Sequence, residues 1–143
     1  MTPATTELFL DTAYAVALSN ETDSNHERAV SLLAQVSRSR ARLVTTRAVL
    51  LEIGDALARL RFRRAAINFL SSLEKDPALE IVPISEDLYK RAFALYCSRS
   101  DKEWGITDCV SFIVMWDRAL TAALTTDKHF QQAGFQALLR QAG

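Results

Sequence analysis

Cysteine is scarce in this sequence, with two residues, Cys97 and Cys109, in 143. They form neither a C-x-x-C metal pair nor a disulfide framework, which points to a reducing compartment. Three prolines and four glycines are as few, and together with 49% apolar residues they exclude a disordered chain. No glycine-rich phosphate loop is present. No apolar run reaches the roughly 18 residues of a membrane-spanning helix, and the first residues lack a basic stretch followed by an apolar one. A soluble, cytoplasmic protein without membrane contact is therefore expected. An excess of either charge is also missing, since 17 Lys and Arg face 17 Asp and Glu. The length predicts one domain over 1–143, able to bury about 68–70% of its unfolded surface.

What the chain has in quantity is arginine, and it is unevenly placed. Arg outnumbers Lys thirteen to four, and eight Arg lie between positions 38 and 64. Only Glu52 and Asp55 oppose them there, so the window carries +6. A guanidinium offers a planar fork of donors that suits phosphate better than an ammonium does. A solvated helix face is the plain reading. The functional one is a surface for nucleic acid or an acidic partner, with Arg59, Arg61, Arg63 and Arg64 as candidates for binding its phosphates.

Periodicity alternates along the chain. Strands are predicted at 7–11, 41–45, 80–83, 120–125 and 135–138. Between them, helical spacing covers 13–18, a segment after the S-x-x-E box Ser24-Asn25-His26-Glu27, and another after Thr46 with core positions Val49, Ile53, Ala56, Leu57 and Leu60. Further helices are predicted at 63–74, closed by Asp76-Pro77, then after Ser85, from a Thr107 cap to Arg118, and after Asp127. The stretch 98–105 is the obvious loop. Strands alternating with helices imply an α/β three-layer sandwich around a central, mostly parallel sheet of about five strands.

Ligands of such sheets bind at the carboxyl ends of the strands. Asp11 and Asp127 follow strands there. Glu52 borders the buried stripe of its helix, and Asp108 shares a helical face with Ser111, Phe112 and Met115. Each acid has a capping or surface alternative, worth about 1 kcal/mol for a cap. Four acids at one rim make that coincidence harder to sustain. Converging carboxylates repel unless protonated or bridged by cations, and Mg²⁺ or Mn²⁺ take carboxylate and water oxygens without His or Cys. Such ions support phosphodiester cleavage, and no Ser or Cys nucleophile with a recognisable base competes.

Four segments carry a family resemblance. Leu8-Phe9-Leu10-Asp11-Thr12, Val49-Leu50-Leu51-Glu52-Ile53-Gly54, Ile106-Thr107-Asp108-Cys109-Val110-Ser111-Phe112 and Thr125-Thr126-Asp127-Lys128-His129-Phe130 occur in the order expected for PIN-domain ribonucleases. The chain resembles in particular the VapC-type toxins of toxin–antitoxin pairs, over nearly its whole length. The resemblance implies that Asp11, Glu52, Asp108 and Asp127 are the metal-binding and catalytic acids, with Thr12 and Thr107 supporting them. It further implies an Mg²⁺- or Mn²⁺-dependent endoribonuclease, an RNA substrate, a small antitoxin partner and a homodimer. The rival reading is a catalytically inert binding module of the same fold. A receiver-like phosphoacceptor is disfavoured, because Asp11 stands alone and Ile81-Val82-Pro83-Ile84 ends without an acid.

Other residues are expected to be structural. His26 reads as a surface residue of its capping box, Cys109 as a small buried hydrophobe, and Trp116 as core. His129 lies two residues beyond Asp127 and is left outside the site, as is Asp101. Trp104 stands in the polar loop, against RNA, a partner or the loop's own base. Gly54 inside a helix suggests close packing beside Glu52. Leu57, Leu60, Phe62, Phe69 and Leu70 read as core, part of it open to a partner helix.

Overall fold

The short apolar stretches do pair as strands, and every pairing among the described residues is parallel. A computed structural model describes residues 6–140. The chain runs β1 (Glu7–Leu10), α1 (Thr12–Ser19), α2 (His26–Ser39), β2 (Arg42–Thr46), α3 (Arg47–Ala56) and α4 (Leu60–Lys75). It continues with β3 (Leu79–Val82), α5 (Glu86–Ser98), α6 (Ile106–Asp117), β4 (Ala122–Leu124), α7 (Lys128–Gln132) and β5 (Gln136–Ala137). The sheet order is β3-β2-β1-β4-β5, in the expected α/β arrangement.

The chain steps outward from β1 to β2 to β3, then returns to the other side of β1. Parallel crossovers are right-handed, so the helices before β3 cover one face and those after it the other. The packing agrees, with α1 against α2, α3 and α4, and α5 against α6. The strands between these layers are short and continuously apolar: Leu8, Phe9 and Leu10, like Ala122, Ala123 and Leu124, are buried. Phe112 seals the layer beside β4, meeting Trp104 and Phe130 edge-on at 4.9 and 5.0 Å.

Helix starts follow local chemistry. Thr46 and Ser85 hydroxyls accept the N–H of Val49 and Leu88 at 3.1 and 3.0 Å, and the Asp127 carboxylate accepts that of His129 at 2.8 Å. Two predicted caps are corrected. The Ser24 box does not form, because Asp23 turns the chain by accepting the N–H groups of Asn25 and His26, which makes Asn25 the cap. His26 is half-buried there, its Nδ1 2.8 Å from the Ala17 carbonyl. Thr107 lies inside α6, whose cap is Gly105, since Asp108 reaches back to the Gly105 N–H.

Several core assignments change as well. Helix α3 stops at Ala56, which is exposed. The break before α4 turns Leu57 inward and leaves Leu60 at the helix start, 93% exposed. Trp116 is half-exposed at the end of α6, whereas Trp104 of the polar loop is buried and donates its indole N–H to Gln132.

Candidate active site

The change of direction in strand order falls between β1 and β4, where a parallel sheet opens a crevice at its carboxyl edge. Asp11 leaves β1 at that point, and Thr125 leaves β4 beside it, one residue beyond the Leu10–Leu124 pair. The Thr125 hydroxyl donates to Asp11 Oδ2 at 2.7 Å. Asp11 is buried, and burial pushes its carboxyl from 3.8 up to about 7. The Thr125 and Thr12 donors act in the opposite direction without offsetting it, and the charges of Asp108 and Glu52 raise it further.

Glu52 arrives from the middle of α3, next to the first residue of α1. The Thr12 hydroxyl donates to Glu52 Oε1 at 2.5 Å, linking the two helices that follow β1 and β2. Asp108 and Asp127 come from the first turn of α6 and the cap of α7. His129 stands between them, its Nδ1 3.1 Å from Asp108 Oδ2 and 3.3 Å from Asp127 Oδ1. Without a metal, an Nδ1 that carries the ring proton donates it to Asp108. Asp108 is raised above the ordinary carboxylate range, chiefly by burial and then by the Asp127 charge.

Two groups thus make up the rim: Asp11 with Thr125, Thr12 and Glu52, and Asp108 with Asp127 and His129. The charge of Asp108 is felt at Asp11, so the groups adjoin. Ligand atoms of Asp108, Asp127 and His129 lie within 4.8 Å of one another. This donor set fits a divalent cation. His129 Nδ1 stands within 3.3 Å of both carboxylates, and a cation at the rim would offset the burial and the neighbouring acid charges that raise the Asp11 carboxyl. A small hard ion takes oxygen ligands readily and tolerates one imidazole.

The other expectations divide. Thr12 supports an acid directly. Thr107 makes no hydrogen bond to an acid among the described residues; it lines a cleft of about 310 Å³ beside Glu52, with Leu51, Asp55, Ile84 and Tyr89. Asp101 is an exposed partner of Arg99, which lowers its carboxyl to about 2, and it takes no part in the rim. Gly54 needs no close approach, since a Cβ there would meet Leu70 Cδ1 at an ordinary 3.7 Å. The arginine window does not form one patch. Arg38, Arg40 and Arg42 precede or open β2 at the amino edge of the sheet, and Arg47 pairs with Glu74. Arg63 donates to the Ala58 carbonyl and Arg61 lies over Phe62 at 4.6 Å, both at the start of α4. Thr125 and His129 are the site residues the sequence reading passed over. The polar run Thr125-Thr126-Asp127 directly after a buried strand was the available signal.

An acid-rimmed crevice at the switch point of a parallel α/β sheet defines the class. Within it, the PIN domain family matches residues 8–136, and the chain belongs to that family. Over 128 residues it is 27% identical to the 23S rRNA-specific endonuclease VapC20 of Mycobacterium tuberculosis, covering 90% of this chain and 95% of that protein. The crystal structure of that sarcin-ricin loop cleaving toxin superimposes with a TM-score of 0.78 at 26% identity, over the same shares of both chains. VapBC2 from Rickettsia felis, bound to a promoter DNA fragment, shares the fold at TM-score 0.62 and 15% identity, over 92% of this chain and 96% of its own. FitAcB from Neisseria gonorrhoeae does so at 0.61 and 19%, over 91% and 94%.

Proposed function

We propose that this single-domain PIN protein is a divalent-metal-dependent endoribonuclease, the toxin of a VapBC-type pair. The observation that carries it is the convergence of Asp11, Glu52, Asp108 and Asp127 on one rim. The similarity to VapC20 over nearly all of both chains supports RNA as the substrate. Asp108, Asp127 and Asp11 would hold Mg²⁺ or Mn²⁺, with His129 at its edge. Such an ion, when bound, lowers the pKa of a water and stabilises charge on the phosphate oxygens. The chain's own side chains do the rest. Thr125 fixes the Asp11 carboxylate, Thr12 fixes Glu52, and the buried Asp11, raised to about 7 by its burial, can take up a proton near neutral pH. Arg59, Arg61, Arg63 and Arg64, at the open end of α4, remain candidates for contacts with more distant RNA phosphates.

Incubation of RNA with purified protein tests this reading, with 23S rRNA as the first substrate. Cleavage is expected with Mg²⁺ or Mn²⁺, and its loss on Asp11→Asn or Asp108→Asn. Equal cleavage in excess EDTA overturns it. RNA binding without cleavage under any metal would establish the inert binding module instead.

The partners follow from the same reading. Tyr89, Phe93 and Tyr96 form a half-exposed ladder on α5, with ring centroids 6.3 and 6.4 Å apart and planes within 18°. Leu51, 62% exposed, lines the same cleft as Tyr89. A contiguous aromatic face of this kind suits a protein contact, here a homodimer in the cytoplasm. The VapBC2 and FitAcB neighbours support an antitoxin as the second partner. Sedimentation of a Phe93→Glu variant should show a monomer, and co-expression with the product of an adjacent small reading frame should give a complex.

A further inference from the structure

Arg47 pairs with Glu74, Arg91 with Asp117, Arg99 with Asp101 and Arg118 with Glu80, while Arg63 is held by the Ala58 carbonyl of its own helix start. Arg28 and Arg140 depart from the acid pairing. They line one cleft of about 220 Å³ with Asn25, Thr126 and Leu139, and no carboxylate of the described residues lies within ion-pair distance of either. Backbone and amide oxygens hold them instead. Arg28 Nη1 donates to the Leu139 carbonyl at 2.5 Å and to Asn25 Oδ1 at 3.3 Å, and Arg140 Nη1 donates to the Thr126 carbonyl at 2.9 Å.

These contacts occupy one nitrogen of each guanidinium. Each fork carries five N–H donors, so most remain for a ligand. Two guanidiniums sharing a cleft repel each other unless an anion lies between them. The cleft holds roughly seven waters' volume, enough for a phosphodiester group. Its position is informative too. Thr126 lines it and is the residue before Asp127, so the cleft adjoins the acid rim across one peptide unit. An anion there sits beside the catalytic rim but on arginine forks rather than carboxylates.

We propose that Arg28 and Arg140 clamp a backbone phosphate of the RNA next to the scissile one. The inference rests on the nuclease reading above and adds to it a subsite outside the arginine-rich window. Paired guanidiniums are suited to this because their planar forks can bind two phosphate oxygens at once. The clamp fixes the register of the strand on the rim and reads no base.

Steady-state cleavage by the metal-loaded protein tests it, comparing the parent with Arg140→Ala and with Arg28→Gln, each checked for an unchanged melting curve. The expected result is a rise in KM of about tenfold with kcat held within about twofold, the size of one lost charge-assisted contact. The log–log salt dependence of RNA binding should flatten by ~0.7 per contact removed. Substrates carrying one neutral methylphosphonate beside the scissile bond should cost the parent about the same tenfold, and Arg140→Ala nothing further. A parent that cleaves while both variants keep its KM and salt slope overturns the clamp and leaves the nuclease reading standing. A parent that cleaves no RNA removes the nuclease reading itself. Variants that keep their KM but lose affinity for an acidic protein partner would assign the cleft to a carboxylate, which also overturns the proposal.

Discussion

The Thr125 hydroxyl donates to Asp11 Oδ2 at 2.7 Å, across the strand pair that aligns Leu10 with Leu124. A buried hydroxyl that orients a ligand carboxylate acts as an outer-shell support, and removing such a partner weakens metal binding by about 10–100-fold. Thr125 is fully buried, so valine preserves its shape while removing both the donor to Asp11 and the acceptor of the Asp127 N–H at 3.0 Å. Thr125→Val should fold normally and bind Mn²⁺ at least about tenfold more weakly, read by calorimetric titration. Parent-like affinity would show that the hydroxyl serves the fold alone.

The raised carboxyl of Asp11 gives the metal-free protein a pH dependence of definite sign. Unfolded, this group releases its proton near 3.8; folded, it does so only at about 7. Between those values the folded chain binds more protons, so the contribution of this group to stability is fully present below about pH 4 and is lost as pH rises through about 7. In EDTA the parent should therefore melt lower at pH 8 than at pH 5. Asp11→Asn, with nothing to titrate there, should lose most of that difference. A variant with the parent's pH slope would place the effect elsewhere.

Helix α3 carries a glycine that neither its conformation nor its neighbours require. A methyl at Gly54 meets Leu70 at ordinary contact distance. Glycine in a helix interior costs about 0.5–1 kcal/mol relative to alanine. Gly54→Ala should raise the melting temperature by about 1–4 °C. A drop would reveal a constraint on the segment carrying Glu52.

The acids were legible in the sequence because parallel α/β topology sends each strand end to the same rim, so Asp11 and Asp127 could be placed from order alone. The five strands were legible for a related reason, since buried parallel strands such as Phe9 and Ala123 show as unbroken apolar runs. What escaped depends on contacts between segments distant in sequence. His129 looked incidental until α6 brought Asp108 to within 3.1 Å of it, and Trp104 looked like loop until Phe112 and Gln132 covered it. The arginine window misled differently. Closeness in sequence put eight cations together on paper, and a strand start, two helix ends and an ion pair dispersed them. Arg28 and Arg140, 112 positions apart, meet in one cleft instead.

Asp108 both supports its helix and faces the rim, and one substitution separates the two roles. Its Oδ2 accepts the Gly105 N–H at 3.1 Å and also faces His129 Nδ1. Asparagine keeps an acceptor for the helix start but removes the charge. If the charge mattered only to the helix terminus, Asp108→Asn would cost a few tenths to about 1 kcal/mol with or without metal. If the acids share one site, the metal-free fold already carries their repulsion, which adds to the larger effect of burial in raising the carboxyls of Asp108 and Asp11. Removing one charge then relieves it. The variant should melt in EDTA at or above the parent. Metal at a hundredfold excess over Kd should stabilise the parent by about 2.7 kcal/mol, several degrees for a chain of this length. The variant should lose most of that increment. A variant that melts lower in EDTA, yet gains as much from Mn²⁺ as the parent, would leave Asp108 as a helix cap and move the cation to Asp11 and Glu52.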